Sequence, residues 1–174
     1  MKFKIFLISL FFNLFFLNSY AEERILFIDV EFILNSSEAG KMVNSQIKKE
    51  VDKNNKIFKD EETKLIDKEK KIIAQKNLLK EDEFQSKIKD FRKEYNEYIK
   101  KKKNILQKLD KANNEAKVKI FNTIRELLAD YSSKNNISMI VDKKNIIIGK
   151  KDFDITQTIL DNLNKKIKEV KLNF

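Results

Sequence analysis

The sequence predicts an α+β chain that is mostly α: a long antiparallel coiled-coil helical hairpin on a small β-strand head with a C-terminal helix. Three features predict it. The chain has no proline and only two glycines, Gly40 and Gly149, so turns are few and helices run long. About 100 central residues are helical in composition and place apolar residues at a seven-residue spacing. On either side of them stand short β-branched and aromatic runs.

Composition narrows the chemistry. Without cysteine there are no disulfides, no thiol chemistry and no lipid attached through an N-terminal cysteine. Without histidine the chain lacks the commonest metal ligand and the usual general base. Hydrophobic residues make up 41% and charged residues 37%, too apolar for a disordered tail and too charged for one large core. A net charge of +10 points to acidic partners.

Residues 1–21 read as a secretory signal peptide. Lys2 and Lys4 precede a 13-residue apolar run, Ile5 to Leu17, broken only by Ser9 and Asn13. Ser19-Tyr20-Ala21 then offers small residues at −3 and −1 of a cleavage site. The alternative is an uncleaved anchor, but a membrane-spanning helix needs about 20 residues. Cleavage after Ala21 removes two lysines and no acids, leaving +8, and the expected location is a periplasm.

Residues 22–36 form the head strand and helix entry. Ile25 to Val30 is almost wholly apolar and reads as a buried strand, followed by the polar break Asn35-Ser36-Ser37-Glu38. Asn35 with Glu38 has capping-box spacing. The arm follows at 37–134. Its first half repeats Val51, Phe58, Leu65, Ile72 and Leu79, and its second repeats Phe84, Phe91, Tyr98, Ile105 and Ala112. A companion seam runs Ile88, Tyr95, Lys102, Leu109 and Ala116, with Lys102 as an interruption.

Folding the chain back at a tip near 79–83 pairs Leu79 with Phe84, Ile72 with Phe91, Leu65 with Tyr98, Phe58 with Ile105 and Val51 with Ala112. Each arm would then be roughly 65–75 Å long. The rival is one unbroken helix of about 150 Å dimerising as a rod. First-half companion positions Asn54, Glu61, Lys68 and Gln75 are polar, so the seam is thin and flexes toward the tip.

The last segment, 135–174, is a head β-hairpin and a helix. Asn135-Asn136 ends the arm, and Ile137–Val141 and Ile146–Ile148 flank a turn at Asp142–Asn145. Asp154 caps the final helix with Gln157 completing a box, and Ile159, Leu160, Leu163, Ile167 and Val170 form its stripe. So small a head buries little by itself. Ile25, Phe27, Val30, Ile137, Met139, Val141, Ile146 and Ile148 are therefore expected to self-associate, making an obligate homo-oligomer with protruding arms.

The order Ile28-Asp29-Val30, Ser37-Glu38-Ala39-Gly40-Lys41, Leu78-Leu79-Lys80-Glu81-Asp82-Glu83-Phe84, Ile137-Ser138-Met139-Ile140-Val141-Asp142-Lys143-Lys144 and Asp154-Ile155-Thr156 resembles the Skp/OmpH family of periplasmic chaperones. The likeness covers essentially the whole mature chain. It implies a jellyfish-like homotrimer whose arms enclose a cavity holding unfolded outer-membrane β-barrel proteins, without ATP, before membrane insertion. One departure is Lys80, where the family often has serine, which weakens the cap of the second arm helix. Arm cations in relatives have been linked to lipopolysaccharide, but no motif here transfers those positions.

On that reading Ile57, Ile66, Ile73, Leu78, Ile99, Leu106 and Phe121, which lie off the main seam, are candidates for contact with client chains. The bland alternative is packing within the hairpin. Lys100, Lys101, Lys102 and Lys103, with Lys68, Lys70 and Lys71 across the hairpin, are candidates for an anionic client or an anionic lipid or lipopolysaccharide surface. The alternative is a solvated helix face. No enzyme and no cofactor are expected: there is no histidine or cysteine base and no glycine-rich phosphate loop, and Glu61-Glu62 and Glu81-Asp82-Glu83 read as surface. A nucleic-acid partner is not expected, because no recognised motif accompanies the charge. The competing functional class is a secreted coiled-coil scaffold without clients.

Overall fold

The computed structural model describes residues 24–174, and the expected signal peptide at 1–21 lies outside them. The order is β1 (Ile25–Ile28), α1 (Val30–Ser36), α2 (Glu38–Ala74), α3 (Glu81–Asn135), β2 (Met139–Asp142) and α4 (Thr156–Lys166), with two short 3-10 turns between β2 and α4.

The first strand is shorter than its apolar run. Asp29 ends it by accepting the Phe32 amide hydrogen at 2.8 Å, which starts α1 and puts Val30 in a helix rather than in the strand. The polar break is therefore the end of α1, and the cap of the long helix is Ser37 instead of Asn35. Ser37 is fully buried, and its hydroxyl accepts from the Gly40 amide at 3.1 Å. Gly40 is needed for a close approach: a Cβ there would lie 1.8 Å from the Leu34 carbonyl oxygen.

β1 and β2 pair in parallel, Ile25 opposite Met139 through Ile28 opposite Asp142. This replaces the expected β-hairpin. Ile146–Ile148 has no ladder partner among the described residues, and strand-forming side chains alone do not make a strand without one. The other edge of β1 is bridged to Asp154, and the Phe27 carbonyl accepts from the Ile155 amide at 3.0 Å.

The final helix starts one residue later than expected, with Ile155 instead of Asp154 at its N-cap position. Asp154 still organises the approach by accepting from the Thr156 amide at 2.9 Å and from its hydroxyl. Gln157 donates forward to Asp161, so no capping box forms. Burial alone would raise the Asp154 carboxyl, but the Thr156 hydrogen bonds, together with Lys143 beside it, outweigh that and hold it below its ordinary value. The helical stripe ends at Leu163; Ile167 is the C-cap and Val170 is buried beyond the helix.

One core unites the head. Leu26 and Ile28 of β1, Ile33 of α1, Val43 of α2, Ile120 and Ile124 of α3 and Ile159 and Leu163 of α4 share it. A second, smaller core lies in the arm, where Phe58, Leu65 and Tyr98 are buried with Phe91 and Ile105 against them.

α2 and α3 run side by side in opposite directions: Glu61 pairs with Lys101 and Lys68 with Glu94. The Phe58 and Tyr98 rings meet edge-on, 6.3 Å between centroids, and Lys102 Nζ lies 5.6 Å from the Phe58 centroid and 5.8 Å from that of Tyr98. Lys102 interrupts the companion seam, as its charge requires, yet it contributes there by lying over the rings.

The turn between the long helices occupies residues 75–80, earlier than the expected tip. Gln75 closes α2 and its carbonyl accepts from the amides of Leu78 and Leu79. Glu81, Asp82 and Glu83 form the first turn of α3 instead of the bend, where their charge suits the positive end of the helix. Lys80 sits at the N-cap position and makes no side-chain capping bond. At the other end Asn136 adopts φ 51°, ψ 50°, the left-handed cap that stops α3.

Candidate functional site

The head carries a concave cleft lined largely by charged side chains. It measures about 550 Å³ between the strand ends and α1, and is lined by Asp29, Glu31, Asp142, Lys117, Lys143 and Lys144 among others. Its charges oppose one another, and Lys144 already pairs with Asp142 at 3.2 Å. No group of three or more His, Cys, Asp or Glu side chains that could hold a metal occurs among the described residues. No helix among them is long and apolar enough to cross a membrane. What the chain does present is apolar surface.

On the arm all seven off-seam candidates are exposed: Ile57, Ile66, Ile73, Leu78, Ile99, Leu106 and Phe121. None is packed away between the helices. Leu78, at 83% exposure, stands on the turn, and Phe121 lies on the part of α3 that enters the head. Tyr95 joins them at 47% although it belongs to the companion seam. The sequence held a signal for this: the next position in that seam is Lys102, so the seam is already failing there.

The lysine run is not a uniform patch. Lys101 is engaged with Glu61 and Lys102 lies over two rings, while Lys100 and Lys103 are exposed and make no ion pair among the described residues. Lys68 is likewise held, by Glu94. Exposed ion pairs contribute only about 0–1 kcal/mol each, so these bridges orient the helices more than they stabilise them.

The head candidates divide in two. Phe27 is buried, with Gly149 against its ring, and Val30, Ile137, Val141 and Ile146 are partly covered. Ile25 at 49%, Met139 at 55% and Ile148 at 91% are exposed. Ile147, which the sequence reading did not single out, is wholly exposed. Ile25 and Met139 are register partners on one sheet face, and β2 has no second neighbour among the described residues. An open strand edge with aliphatic side chains beside it is an unfinished surface.

Comparison with known proteins gives the context. The family model described as outer membrane protein (OmpH-like) matches residues 24–163. No curated protein matches the chain. Among solved structures it is similar to the crystal structure of a Caulobacter crescentus CB15 protein assigned as an OmpH-like outer membrane chaperone. The TM-score is 0.75 at 17% identity, covering 87% of this chain and 89% of the other, a likeness of fold.

Proposed function

The chain belongs to the OmpH-like family, a family of chaperones and not of enzymes, and from that premise we propose that it is an ATP-independent periplasmic holdase for unfolded outer-membrane proteins. In this reading the signal peptide exports it, the heads join as a homotrimer, and each α2–α3 pair is a coiled-coil hairpin arm bounding a shared cavity. The observation that carries it is the row of aliphatic side chains that the arm leaves exposed. A holdase must grip many sequences weakly. A half-exposed isoleucine offers on the order of 1 kcal/mol when covered, so several together hold a chain that none could hold alone.

Self-association rests on the head, while the number three is what the family resemblance implies. Ile25, Met139 and Ile148 need cover, β2 offers an open edge, and Ile146–Ile148 lacks a strand partner within its own chain. A second copy supplies all three needs at once. The lysine-rich balance serves encounter with acidic clients or an anionic lipid or lipopolysaccharide surface. Because Lys101 and Lys102 are engaged within the arm, that attraction belongs to the net charge and to Lys100 and Lys103 rather than to the four-lysine run as a unit.

The deciding experiment dilutes a urea-unfolded outer-membrane barrel protein into the mature protein without nucleotide. Turbidity suppressed at a fixed oligomer-to-client ratio supports the holdase; unchanged turbidity favours a coiled-coil scaffold without clients. Sedimentation tests the assembly separately, since a folded monomer at micromolar concentration would rule out self-associating heads.

A further inference from the structure

The geometry points to a clasp in the head: the Lys143–Asp154 ion pair holds the segment Ile146–Gly149 in the pose from which it joins a second copy of this chain. The inference rests on the self-association proposed above and adds which side chains prepare the joining segment. Lys143 Nζ lies 3.4 Å from Asp154 Oδ2, which closes residues 144–153 into a loop at its base. Asp154 is itself fixed. Its other oxygen accepts from the Thr156 amide and hydroxyl, and Thr156 Oγ1 accepts from the Asp29 amide at 2.9 Å. The clasp is thereby tied to the end of β1 and to the start of α4. Asp29, Glu31 and Asp142 line the cleft that Lys143 borders, but Lys143 pairs with none of them, and Asp142 takes Lys144 instead. Lys151, which shares a second hollow with Lys143 and Asp154, forms no ion pair among the described residues.

Inside the loop the backbone is tied only at its two ends. The Ile146 amide donates to the Lys143 carbonyl, and the Lys150 and Lys151 carbonyls accept from Phe153 and Asp154. Between them the amides of Ile147, Ile148 and Gly149 donate to no backbone carbonyl among the described residues. Gly149 seats the segment, because its missing side chain lets the backbone lie against the Phe27 ring. A Cβ there would stand 2.8 Å from ring carbon Cε1. Ile147 is left wholly exposed and Ile148 91% exposed. The segment is open backbone carrying bare aliphatic side chains, seated at one glycine and closed at its base by one ion pair. A loose loop would lose freedom on joining a strand, and closing it beforehand removes part of that cost.

The occupant is a second copy. Each chain carries one open segment and one open β2 edge, and within the chain the two do not pair. Each also leaves Ile25 and Met139 exposed on the sheet face to which Phe27 belongs. The segment of one copy laid along β2 of the next satisfies the free backbone of both and brings Ile148 to aliphatic surface. Different patches meet in such a contact, so it is heterologous, and every interface contains one clasp.

An exposed ion pair is worth up to about fivefold in an equilibrium constant. Folding is insulated from it, since the head core that contains Ile33, Ile120, Ile124 and Leu163 takes in no residue of the loop. Sedimentation over a dilution series reads the assembly, with circular dichroism to confirm helix content. Lys143→Met should raise the concentration of half-dissociation at least threefold. Lys143→Arg should restore it, and Lys151→Met should leave it at the parent's value. In an Asp154→Asn background Lys143→Met should add nothing, because the pair is already broken. Parent-like assembly of Lys143→Met, no rescue by arginine, an equal loss in Lys151→Met or a further loss in the Asp154→Asn background overturns the clasp and leaves self-association intact. Unaltered assembly with weaker retention of an unfolded client assigns the segment to the client and overturns the clasp as well. A parent that sediments as a folded monomer at micromolar concentration overturns the self-association on which the clasp rests.

Discussion

Replacing Phe58 with alanine separates the arm from the head energetically. Phe58 is 3% exposed, its ring meets Tyr98 edge-on, and Leu65, Phe91 and Ile105 complete its surroundings. Burying a phenylalanine and then truncating it costs about 3–5 kcal/mol. The lower figure applies here, because a core of three buried residues has open edges that relax into the space. Lys102 keeps one ring, that of Tyr98, so its loss is partial. Nothing in the head core touches this cluster, which predicts a local effect. Amide exchange followed residue by residue is the assay. Amides of the arm around residues 60–100 should exchange up to about a hundredfold faster, the equivalent of about 3 kcal/mol. Those of Val43, Ile120 and Ile159 should hold their rates. As a control, Ile120→Val removes one methylene from the head core, costs about 0.5–1.5 kcal/mol and should accelerate the head. If Phe58→Ala accelerated head and arm alike, the two cores would be one cooperative unit and the division drawn here would be wrong.

Three further outcomes follow from the head. Gly40→Ala forces a Cβ into the Leu34 carbonyl, so the protein should lose at least about 2 kcal/mol by urea titration; an unchanged midpoint would mean that α1 is free to move away. Asp154 has a folded pKa below its unfolded value of about 3.9, so its stabilisation is present above that pH and fades as pH falls through the folded value. Asp154→Asn keeps an acceptor for Thr156 and loses the charge together with the oxygen that accepts from Lys143. Its urea midpoint should therefore lie below the parent's near pH 6 and converge with it toward pH 2, whereas a constant gap would place the effect elsewhere. Ile148→Asp, at a position 91% exposed in the single chain, should leave helix content unchanged and shift sedimentation toward monomer; an intact oligomer would remove Ile148 from the interface.

Much of the arm was legible because a seam is a matter of spacing. Phe58, Leu65, Ile72, Tyr98 and Ala112 are buried where the seven-residue series puts them, since a helix turns by a fixed angle per residue whatever its surroundings. The turn was less legible. Residues 75–80 contain neither glycine nor proline, and the chain reverses through backbone bonds to the Gln75 carbonyl that no side-chain signature announces. The acidic triplet drew the eye to 81–83, but acids belong as readily to a helix start as to a bend. In the head, Asn35 and Ser37 are both competent caps. Only the seven-residue α1, which occupies Val30–Ser36, decides between them. Ile146–Ile148 misled for a different reason: β-branched residues state a preference that needs a neighbouring strand to be realised.

The unequal helices explain why the strands are parallel. A hairpin of equal arms returns the chain to the end it left, and the strands it joins would then run antiparallel. Here α2 has 37 residues and α3 has 55. At 1.5 Å per residue the extra 18 residues add about 27 Å, enough to cross a four-residue strand of about 13 Å and the turn of α1 beside it. That surplus is the stretch of α3 bearing Ile120 and Ile124, both fully buried in the head, and it delivers the chain to Met139 beside Ile25. The arm is thus the crossover connection that parallel pairing requires. The strands can pair only when α3 crosses the head, and α3 is held there by α1, α2 and α4 rather than by the arm core. It follows that the arm can open at its thin seam without releasing the sheet, which is the mechanical condition for a rigid base with adaptable walls.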